Sequence, residues 1–190
     1  MHWSCCDVTQ ISEQELQQVY EHLSDSRKEH IQSLHKQEDR ACSLAAERLV
    51  QALLSEHYRI TGAVLHRAPN GRPYLSSCDL HVSISHCYPM VACAVSREPV
   101  GIDVEKLRPM DLDICRHVCT PEEAAYVGDA SCWETPCRDK ETLLRFFEIW
   151  TAKEAYFKRQ GTGITALKSV NVLQLSRQLH LEADWVIQIL

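Results

Sequence analysis

The chain has 190 residues, with 20 Lys and Arg against 26 Asp and Glu and a formal net charge of −6. This length allows one domain or two small halves that bury roughly 70% of the unfolded surface, so the core needs no disulfides. The acidic balance argues against a general nucleic-acid-binding protein, which needs clustered Lys and Arg. Because no segment approaches the ~18 apolar residues of a membrane span, we expect no membrane partner either.

The ten cysteines are numerous, but none are arranged as Cys-x-x-Cys. Residues 1–7 lack the apolar stretch of a signal peptide, and we therefore predict a cytoplasmic protein with reduced thiols. A zinc site made of Cys78, His81, His86 and Cys87 is conceivable. It matches no structural zinc spacing, so we set it aside.

The first half of the chain predicts a short strand, helices and then strands. Residues 1–8 are compatible with a strand, and Ser12 to Glu15 have the form of a capping box that begins a helix. Further apolar residues at helical spacing predict helices over 24–34 and 39–57, and a turn cluster follows at 69–73. Alternating and continuous apolar patterns predict strands at 81–85, 90–95 and 100–105, the last two forming an antiparallel hairpin through 97–99.

The second half predicts another helical block followed by strands. Thr120 and Pro121 have the sequence of a capped helix start, and a long helix is expected over 141–159, ending near Gly161. Residues 128–139 are expected to form an exposed loop, and 169–175 and 185–190 to form strands. We predict an α+β fold of two similar α+β halves, residues 1–98 and 99–190, in a pseudo-twofold arrangement with the active site in the cleft between them.

Two short segments carry most of the chemistry. In the strand Val100-Gly-Ile-Asp-Val-Glu105, Asp103 and Glu105 point to the same face, where like charges repel unless a cation lies between them. In the later helix, Trp150, Glu154 and Lys158 repeat every four residues and share a face. A third carboxylate meeting the strand pair would provide oxygen ligands for magnesium beside a dianionic substrate.

Each segment also has an ordinary structural interpretation. Asp103 and Glu105 alone fit a solvated sheet face, and Glu154 with Lys158 fits a surface ion pair that contributes a few tenths of a kcal/mol. The neighbouring aromatic residues fit a hydrophobic core. The combination of both segments favours the functional interpretation.

Together the two segments resemble the 4′-phosphopantetheinyl transferases of the surfactin-synthetase type. The matching pattern is Val-Gly-Ile-Asp-Val-Glu followed, about fifty residues later, by Trp-x-x-Lys-Glu-x-x-x-Lys-x-x-Gly-x-Gly. Upstream, Gly71-Arg72-Pro73 and Ile84-Ser85-His86 match two further family elements. Arg27 and the stretch 39–44 resemble its N-terminal basic residues and helix, although His30 stands where a second basic residue is expected.

The resemblance implies an enzyme that transfers the 4′-phosphopantetheine arm of coenzyme A to a serine of an acyl or peptidyl carrier protein. It also implies magnesium dependence, release of adenosine 3′,5′-bisphosphate and a monomer. Asp103, Glu105 and Glu154 would hold the ion, and Glu154 and Lys158 would be catalytic, with Glu154 taking the serine proton directly or through water. The residues expected to contact coenzyme A are Arg27, Ser43, Arg72, Ser85, His86, Lys153 and Lys158.

Two rival hypotheses remain open at this point. One is a non-catalytic relative that binds a carrier protein or a nucleotide, and the other is a magnesium-dependent phosphohydrolase that uses water as nucleophile. The retained acids disfavour the first, and the elements around Arg72 and His86 are unexplained by the second. A basic and apolar patch beside the acidic strand is a candidate carrier-docking surface, made of Lys106, Leu107, Arg108, Met110, Leu112 and Arg116.

Overall fold

The computed structural model describes residues 1–129, 135–163 and 166–190, which form the predicted mixture of helices and strands. The helices are α1 (Glu13–Glu21), α2 (Asp25–Ser33), α3 (Gln37–Leu53), α4 (Cys115–Val118), α5 (Pro121–Val127) and α6 (Lys140–Gln160). The strands are β1 (His2–Asp7), β2 (Leu65–Arg67), β3 (Pro73–Leu75), β4 (His81–Cys87), β5 (Met90–Ser96), β6 (Ile102–Lys106), β7 (Gln178–Glu182) and β8 (Trp185–Ile189). A π-helical segment, Leu54–Tyr58, follows α3, and short 3₁₀ segments are Val8–Gln10, Leu112–Ile114, Leu167–Ser169 and Val172–Gln174.

The strands form three small antiparallel sheets, with orders β1-β5-β4, β2-β3 and β6-β8-β7. Every residue of the central strand β5 is buried, as expected for its continuous apolar sequence. The β4 and β6 strands are edge strands of two different sheets, and they pack beside each other. This places the acidic residues of β6 next to the end of β4.

Local sequence signals locate several helix ends correctly. The predicted capping box of α1 is present, with Ser12 and Glu15, and the predicted cap Thr120 begins α5, where it forms a capping box with Glu123. The long helix α6 ends at Gly161, which has φ of 71° in the left-handed region. Glycine adopts that conformation without the steric cost that a side chain brings, so the helix stops where the sequence predicts.

Strand pairing was predicted less well. The expected β5–β6 hairpin is wrong, because β6 pairs with β8 in a separate sheet, joining Asp103 to Gln188 in the register. Residues 169–175 are not a strand but contain 3₁₀ turns, while β7 and the small β2–β3 hairpin were not predicted. Local alternation identifies a strand but does not select its partner, which is set by long-range packing.

Part of the predicted exposed loop over 128–139, residues 130–134, lies outside the described residues. Cys137 belongs to this segment, yet it is buried and exchanges backbone hydrogen bonds with Met110. The exposed-loop prediction is therefore wrong at Cys137.

Buried apolar residues of the described chain form clusters on both sides of residue 98. One cluster, around Val50 and Val91, contains only residues before that point. Another, around Phe146 and Ile149, contains only residues after it. A further cluster joins residues of β5 to residues of β6 and β8. The proposed boundary and the pseudo-twofold relation remain predictions. No helix in the described ranges is long and apolar enough to cross a membrane.

Candidate active site between β4, β6 and α6

The candidate site begins where the edges of β4 and β6 meet. Among the described residues no backbone ladder joins these strands, but side chains of β4 connect them. Ser85 Oγ donates a hydrogen bond to Asp103 Oδ1 over 2.7 Å, and Ile102 N–H donates to Ser83 Oγ over 3.1 Å. The position of Asp103 therefore depends on β4 as well as on its own strand.

Lys158 of α6 completes a three-residue network with Asp103 and Ser85. Its Nζ lies 2.6 Å from Asp103 Oδ1 and 2.8 Å from Ser85 Oγ. The helix comes this close because residue 101 is glycine: an added Cβ would lie 1.8 Å from the Ala155 carbonyl oxygen. The backbone leading into β6 thus contacts the helix two residues before Asp103.

The Asp103 carboxyl is almost fully buried, with 3% of its surface exposed. Burial raises the pKa of Asp103 because it disfavours the charged form, while the Lys158 charge and the hydrogen bonds from Lys158 and Ser85 oppose that shift. The Oδ2 atom is buried without a hydrogen-bond partner among the described residues. A buried carboxylate oxygen without a hydrogen-bond donor is suited to a cation.

Glu105 is held at both carboxylate oxygens. Trp150 Nε1–H donates to Oε1 over 3.1 Å, and Arg108 Nη1 lies 3.2 Å from Oε2. The predicted helical face that carries Trp150, Glu154 and Lys158 therefore does face the acidic strand. The link from Trp150 to Glu105 was not predicted, because the tryptophan was interpreted as core.

The third acid, Glu154, is half-buried on the same face of α6. Burial raises the pKa of Glu154 to about 7, the negative charges of Asp103 and Glu105 add to this effect, and Lys158 opposes it. A carboxyl group with a pKa near neutrality can both accept and release protons under physiological conditions. The structure thus brings all three predicted acids into one electrostatic neighbourhood.

These acids fit a magnesium ion as a partial ligand set. Among the described residues, no three His, Cys, Asp or Glu side chains already form a closed metal site. Magnesium, however, commonly takes only one or two protein carboxylates and completes its shell with phosphate and water. The unpartnered Asp103 Oδ2 and the nearby Glu154 carboxyl supply hard oxygen donors of that kind.

A cleft of about 410 Å³ lies against this network. Its charged lining residues are Arg67, Arg72, Glu154 and Lys158, so positive charge exceeds negative charge. The turn between β2 and β3 closes one side, where Asn70 Nδ2 donates to the Gly161 carbonyl over 3.3 Å. The Arg72 guanidinium lies against Gly161, where an added Cβ would come within 2.4 Å of its Nη1. Arg72 is therefore at the cleft, as predicted, and Arg67 is a cleft cation that was not predicted.

Arg27 and Ser43 meet each other, but in a buried network of the first half. Arg27 Nη2 donates to Ser43 Oγ over 2.9 Å, and Arg27 Nε lies 3.3 Å from Glu47 Oε2. Arg27 and Glu47 line a separate cavity of about 570 Å³ rather than the cleft. Arg27 is nevertheless close enough to Arg67 and His30 for its charge to lower their pKa values. Coenzyme A contacts by Arg27 and Ser43 thus remain predictions.

Lys153 does not reach the cleft, which corrects the expectation that it contacts coenzyme A. Its side chain is fully buried, with Nζ 2.8 Å from Glu123 Oε2 and hydrogen-bonded to the carbonyls of Leu167 and Val170. All three ammonium N–H groups are thereby used. Lys153 stabilises the second half instead, together with Glu123, which sequence reasoning did not single out.

His86 lies exposed at the end of β4, next to Ser85. Loss of surrounding solvent is the main cause that lowers the pKa of His86, and the Lys158 and Arg67 charges lower it further, while Asp39 opposes them. These causes favour the neutral imidazole in the ligand-free protein. It would acquire charge beside a phosphate, because a nearby anion favours the protonated form.

Comparison with known proteins agrees with this geometry. The family model described as "4′-phosphopantetheinyl transferase superfamily" matches residues 99–183, which include the acidic strand and α6. The 4′-phosphopantetheinyl transferase Sfp of Bacillus subtilis (strain 168) is 26% identical over 159 residues, covering 82% of this chain and 67% of the relative. The chain is therefore similar to the 4′-phosphopantetheinyl transferase superfamily over the segment that carries β6 and α6.

Two further relatives are similar over shorter shares of their length. The 4′-phosphopantetheinyl transferase gsp of Aneurinibacillus migulanus is 32% identical, over 64% of this chain and 49% of the relative. The L-aminoadipate-semialdehyde dehydrogenase-phosphopantetheinyl transferase of Schizosaccharomyces pombe is 26% identical, over 77% of this chain and 62% of the relative. The chain thus spans between about half and two thirds of the length of these curated relatives.

Proposed function

We propose that this protein transfers the 4′-phosphopantetheine arm of coenzyme A to a serine hydroxyl of an acyl or peptidyl carrier protein. The observation that carries the proposal is that Glu154 and Lys158 line a cleft with excess positive charge, and that Lys158 is also hydrogen-bonded to the buried Asp103 carboxylate. The similarity to this family supports the same reaction, because the relatives are named for it.

In the proposed reaction the serine Oγ attacks the β-phosphorus of coenzyme A. A new P–O bond forms to the serine, the bond to the 5′-phosphate oxygen breaks, and adenosine 3′,5′-bisphosphate leaves. The serine proton passes to Glu154, directly or through water, and the pKa of about 7 suits that carboxyl to act as general base. Phosphoryl transfer of this kind depends mainly on positioning and charge neutralisation.

Asp103 and Glu154 would hold magnesium, with Glu105 nearby, and the ion would supply positive charge to the pyrophosphate. Lys158 already donates two hydrogen bonds, to Asp103 and Ser85, and its side chain is 30% exposed. An ammonium group has three N–H donors, so one remains for a pyrophosphate oxygen. Arg72 and Arg67 add cations along the cleft for the remaining phosphate groups.

We further propose that the protein works as a cytoplasmic monomer. The nine cysteines in the described residues are free thiols, which suits a reducing compartment. The surface around Lys106 and Arg108, next to β6, remains our proposal for docking the acidic carrier.

The experiment is to incubate the protein with coenzyme A, magnesium and a panel of apo carrier proteins, followed by intact-mass measurement. A mass gain of one phosphopantetheine on a carrier supports transfer. Release of inorganic phosphate without carrier modification would instead indicate the phosphohydrolase, and binding without any product would indicate a non-catalytic relative.

Two variants sharpen the assay. Asp103→Asn should abolish transfer because it removes the buried carboxylate charge from the site. Asp184→Asn changes an exposed acid that forms an ion pair with the exposed Lys140, and this variant should transfer at the wild-type rate. Full activity of Asp103→Asn would remove Asp103 from the ligand set.

A further inference from the structure

Two serines of β4 point toward β6, and their hydroxyl groups are used differently. Ser85 donates its hydroxyl proton to Asp103 and accepts a hydrogen bond from Lys158. Both functions of this hydroxyl are therefore engaged within the protein. A ligand could bind Ser85 only by displacing one of these partners.

Ser83 is the contrasting case. Its Oγ accepts the Ile102 N–H over 3.1 Å, but no acceptor for its own hydroxyl proton lies among the described residues. The residue is 3% exposed and lines the 410 Å³ cleft, whereas Ser85 is not among the lining residues. A buried hydroxyl that accepts one hydrogen bond and donates none has an unused donor.

The charge of the cleft indicates what would accept that hydrogen bond. Arg67, Arg72 and Lys158 line the cleft against a single acid, Glu154. An anionic group is therefore favoured there, and phosphate oxygens are strong acceptors. The incoming Ile102 N–H also polarises the Ser83 hydroxyl and strengthens it as a donor.

We propose that Ser83 is a ligand-binding residue of the cleft, whose hydroxyl donates to a phosphate oxygen of bound coenzyme A. This inference rests on the proposed function, because it takes coenzyme A as the occupant. It adds to the binding set a residue that no sequence motif indicated. The same hydroxyl fixes Ile102, so ligand binding at Ser83 is coupled to the residue that precedes Asp103.

The test is calorimetric titration of coenzyme A into the full-length wild-type protein and its Ser83 variants. Ser83→Ala should weaken binding about tenfold, the effect of losing a hydrogen bond to a charged group. Ser83→Thr keeps the hydroxyl and should retain most of the affinity, whereas Ser83→Val, which has the shape of that threonine but no hydroxyl, should not. Ser96→Ala is the matched control, because Ser96 is a buried strand serine that accepts the Glu98 N–H outside the cleft.

The phosphate involved is distinguished by repeating the titration with dephospho-coenzyme A, which lacks the 3′-phosphate. A Ser83→Ala penalty that persists assigns the contact to the pyrophosphate, and one that disappears assigns it to the 3′-phosphate. Both results support the proposal.

Equal affinity of wild type, Ser83→Ala and Ser83→Val would overturn the proposal and leave Ser83 as a link between strands only. In that case transfer to a carrier would still proceed, so the proposed function would stand. If wild type itself binds no coenzyme A, the proposed function fails and this inference fails with it. Thermal unfolding of each variant identifies any loss of affinity that is due to loss of fold.

Discussion

Lys158 Nζ lies 2.6 Å from Asp103 Oδ1, joining the end of a helix to a strand 55 residues earlier in the chain. The carboxylate is nearly buried, whereas the lysine side chain is 30% exposed. Burial raises the pKa of Asp103, and Lys158 is the principal group that opposes the shift. The lysine therefore favours the charged form of this buried acid.

Removing this lysine should destabilise the protein. Lys158→Met leaves the Asp103 charge buried with only Ser85 as partner, and we expect a loss of about 2 kcal/mol in the free energy of unfolding. That is below the value for a fully buried pair, because Lys158 is partly solvated. Urea unfolding at pH 7 without magnesium measures the change.

A double variant tests the cause. Lys158→Met combined with Asp103→Asn removes both charges and should recover most of the lost stability. If the loss in the free energy of unfolding of the double variant equals the sum of the losses of the two single variants, the two residues do not interact energetically.

Lys153 should matter for folding rather than for catalysis. Lys153 and Glu123 are both 0% exposed and lie 2.8 Å apart. Lys153→Met leaves a buried carboxylate unpaired and two carbonyl groups without a donor, so we expect a loss of about 3–5 kcal/mol in the free energy of unfolding. Chemical denaturation measured by tryptophan fluorescence follows it.

The matched control for Lys153 is Lys140→Met. Lys140 also pairs with an acid, Asp184, but both side chains are largely exposed. We expect a change of less than about 0.5 kcal/mol. Equal stability of the two lysine variants would contradict a structural role for Lys153.

Gly101 sets how closely the acidic strand approaches α6. Gly101→Ala places a Cβ 1.8 Å from the Ala155 carbonyl oxygen and 2.8 Å from the Arg159 nitrogen, both backbone atoms of the helix. Neither can move without displacing α6, so we expect a loss of about 3 kcal/mol or more and a strongly reduced transfer rate.

Gly62→Ala is the contrasting glycine variant. Gly62 has φ of +72° but nothing within 4 Å of an added Cβ, so only the backbone conformation is penalised. A cost of about 1 kcal/mol is expected, with transfer unchanged. Thermal unfolding and the carrier assay are measured for both variants. A loss of transfer in Gly101→Ala but not in Gly62→Ala would show that close packing against α6, and not backbone strain, controls the site.

The sequence predicts this site well where signals are local. Glu154 and Lys158 are four residues apart in a helix and share a face, and both lie at the cleft. The capping residues Ser12 and Thr120 likewise act through atoms within three residues. Such signals depend on backbone geometry that a short segment fixes by itself.

Lys153 illustrates a misassignment that helical geometry explains. It precedes Glu154 by one residue, and adjacent helical residues point about 100° apart, so the two cannot share a face. Lys153 instead shares the buried stripe of Phe146, Ile149 and Phe157, at spacings of three and four residues. The spacing was present in the sequence, but its buried partner Glu123 lies on another helix and is not visible from a local pattern.

The pairing of β6 shows what the sequence does not determine. The two segments of β5 and β6 have suitable patterns and a short connection, which favoured a hairpin. In the structure β1 and β4 pair with the two sides of β5, so β5 has no free side for β6. Strand β6 pairs instead with β8, about eighty residues later. Strand patterns specify buried faces, but the choice of neighbour depends on the whole fold.

Glu154 gives the last prediction, which concerns pH. The pKa of its carboxyl is about 7 in the folded protein against 4.5 as its ordinary value. Between these values the folded state binds a proton that the unfolded state has released, so this group's contribution to stability falls as pH rises from 4.5 to 7. Above pH 7 the carboxylate is charged and half-buried near Asp103, and it then lowers the free energy of unfolding by its full amount.

Glu154→Gln removes this cost and should be as stable as wild type near pH 4.5 but more stable by about 1–2 kcal/mol at pH 8, since partial solvation limits the gain. The same variant should transfer phosphopantetheine at least about 10²-fold more slowly if Glu154 is the base. Urea unfolding at both pH values in EDTA, with the exposed Glu29→Gln as control, measures the stability difference. If the free energy of unfolding differs between variant and wild type by the same amount at both pH values, the Glu154 carboxyl has the same pKa in the folded and unfolded chain, and the prediction is wrong.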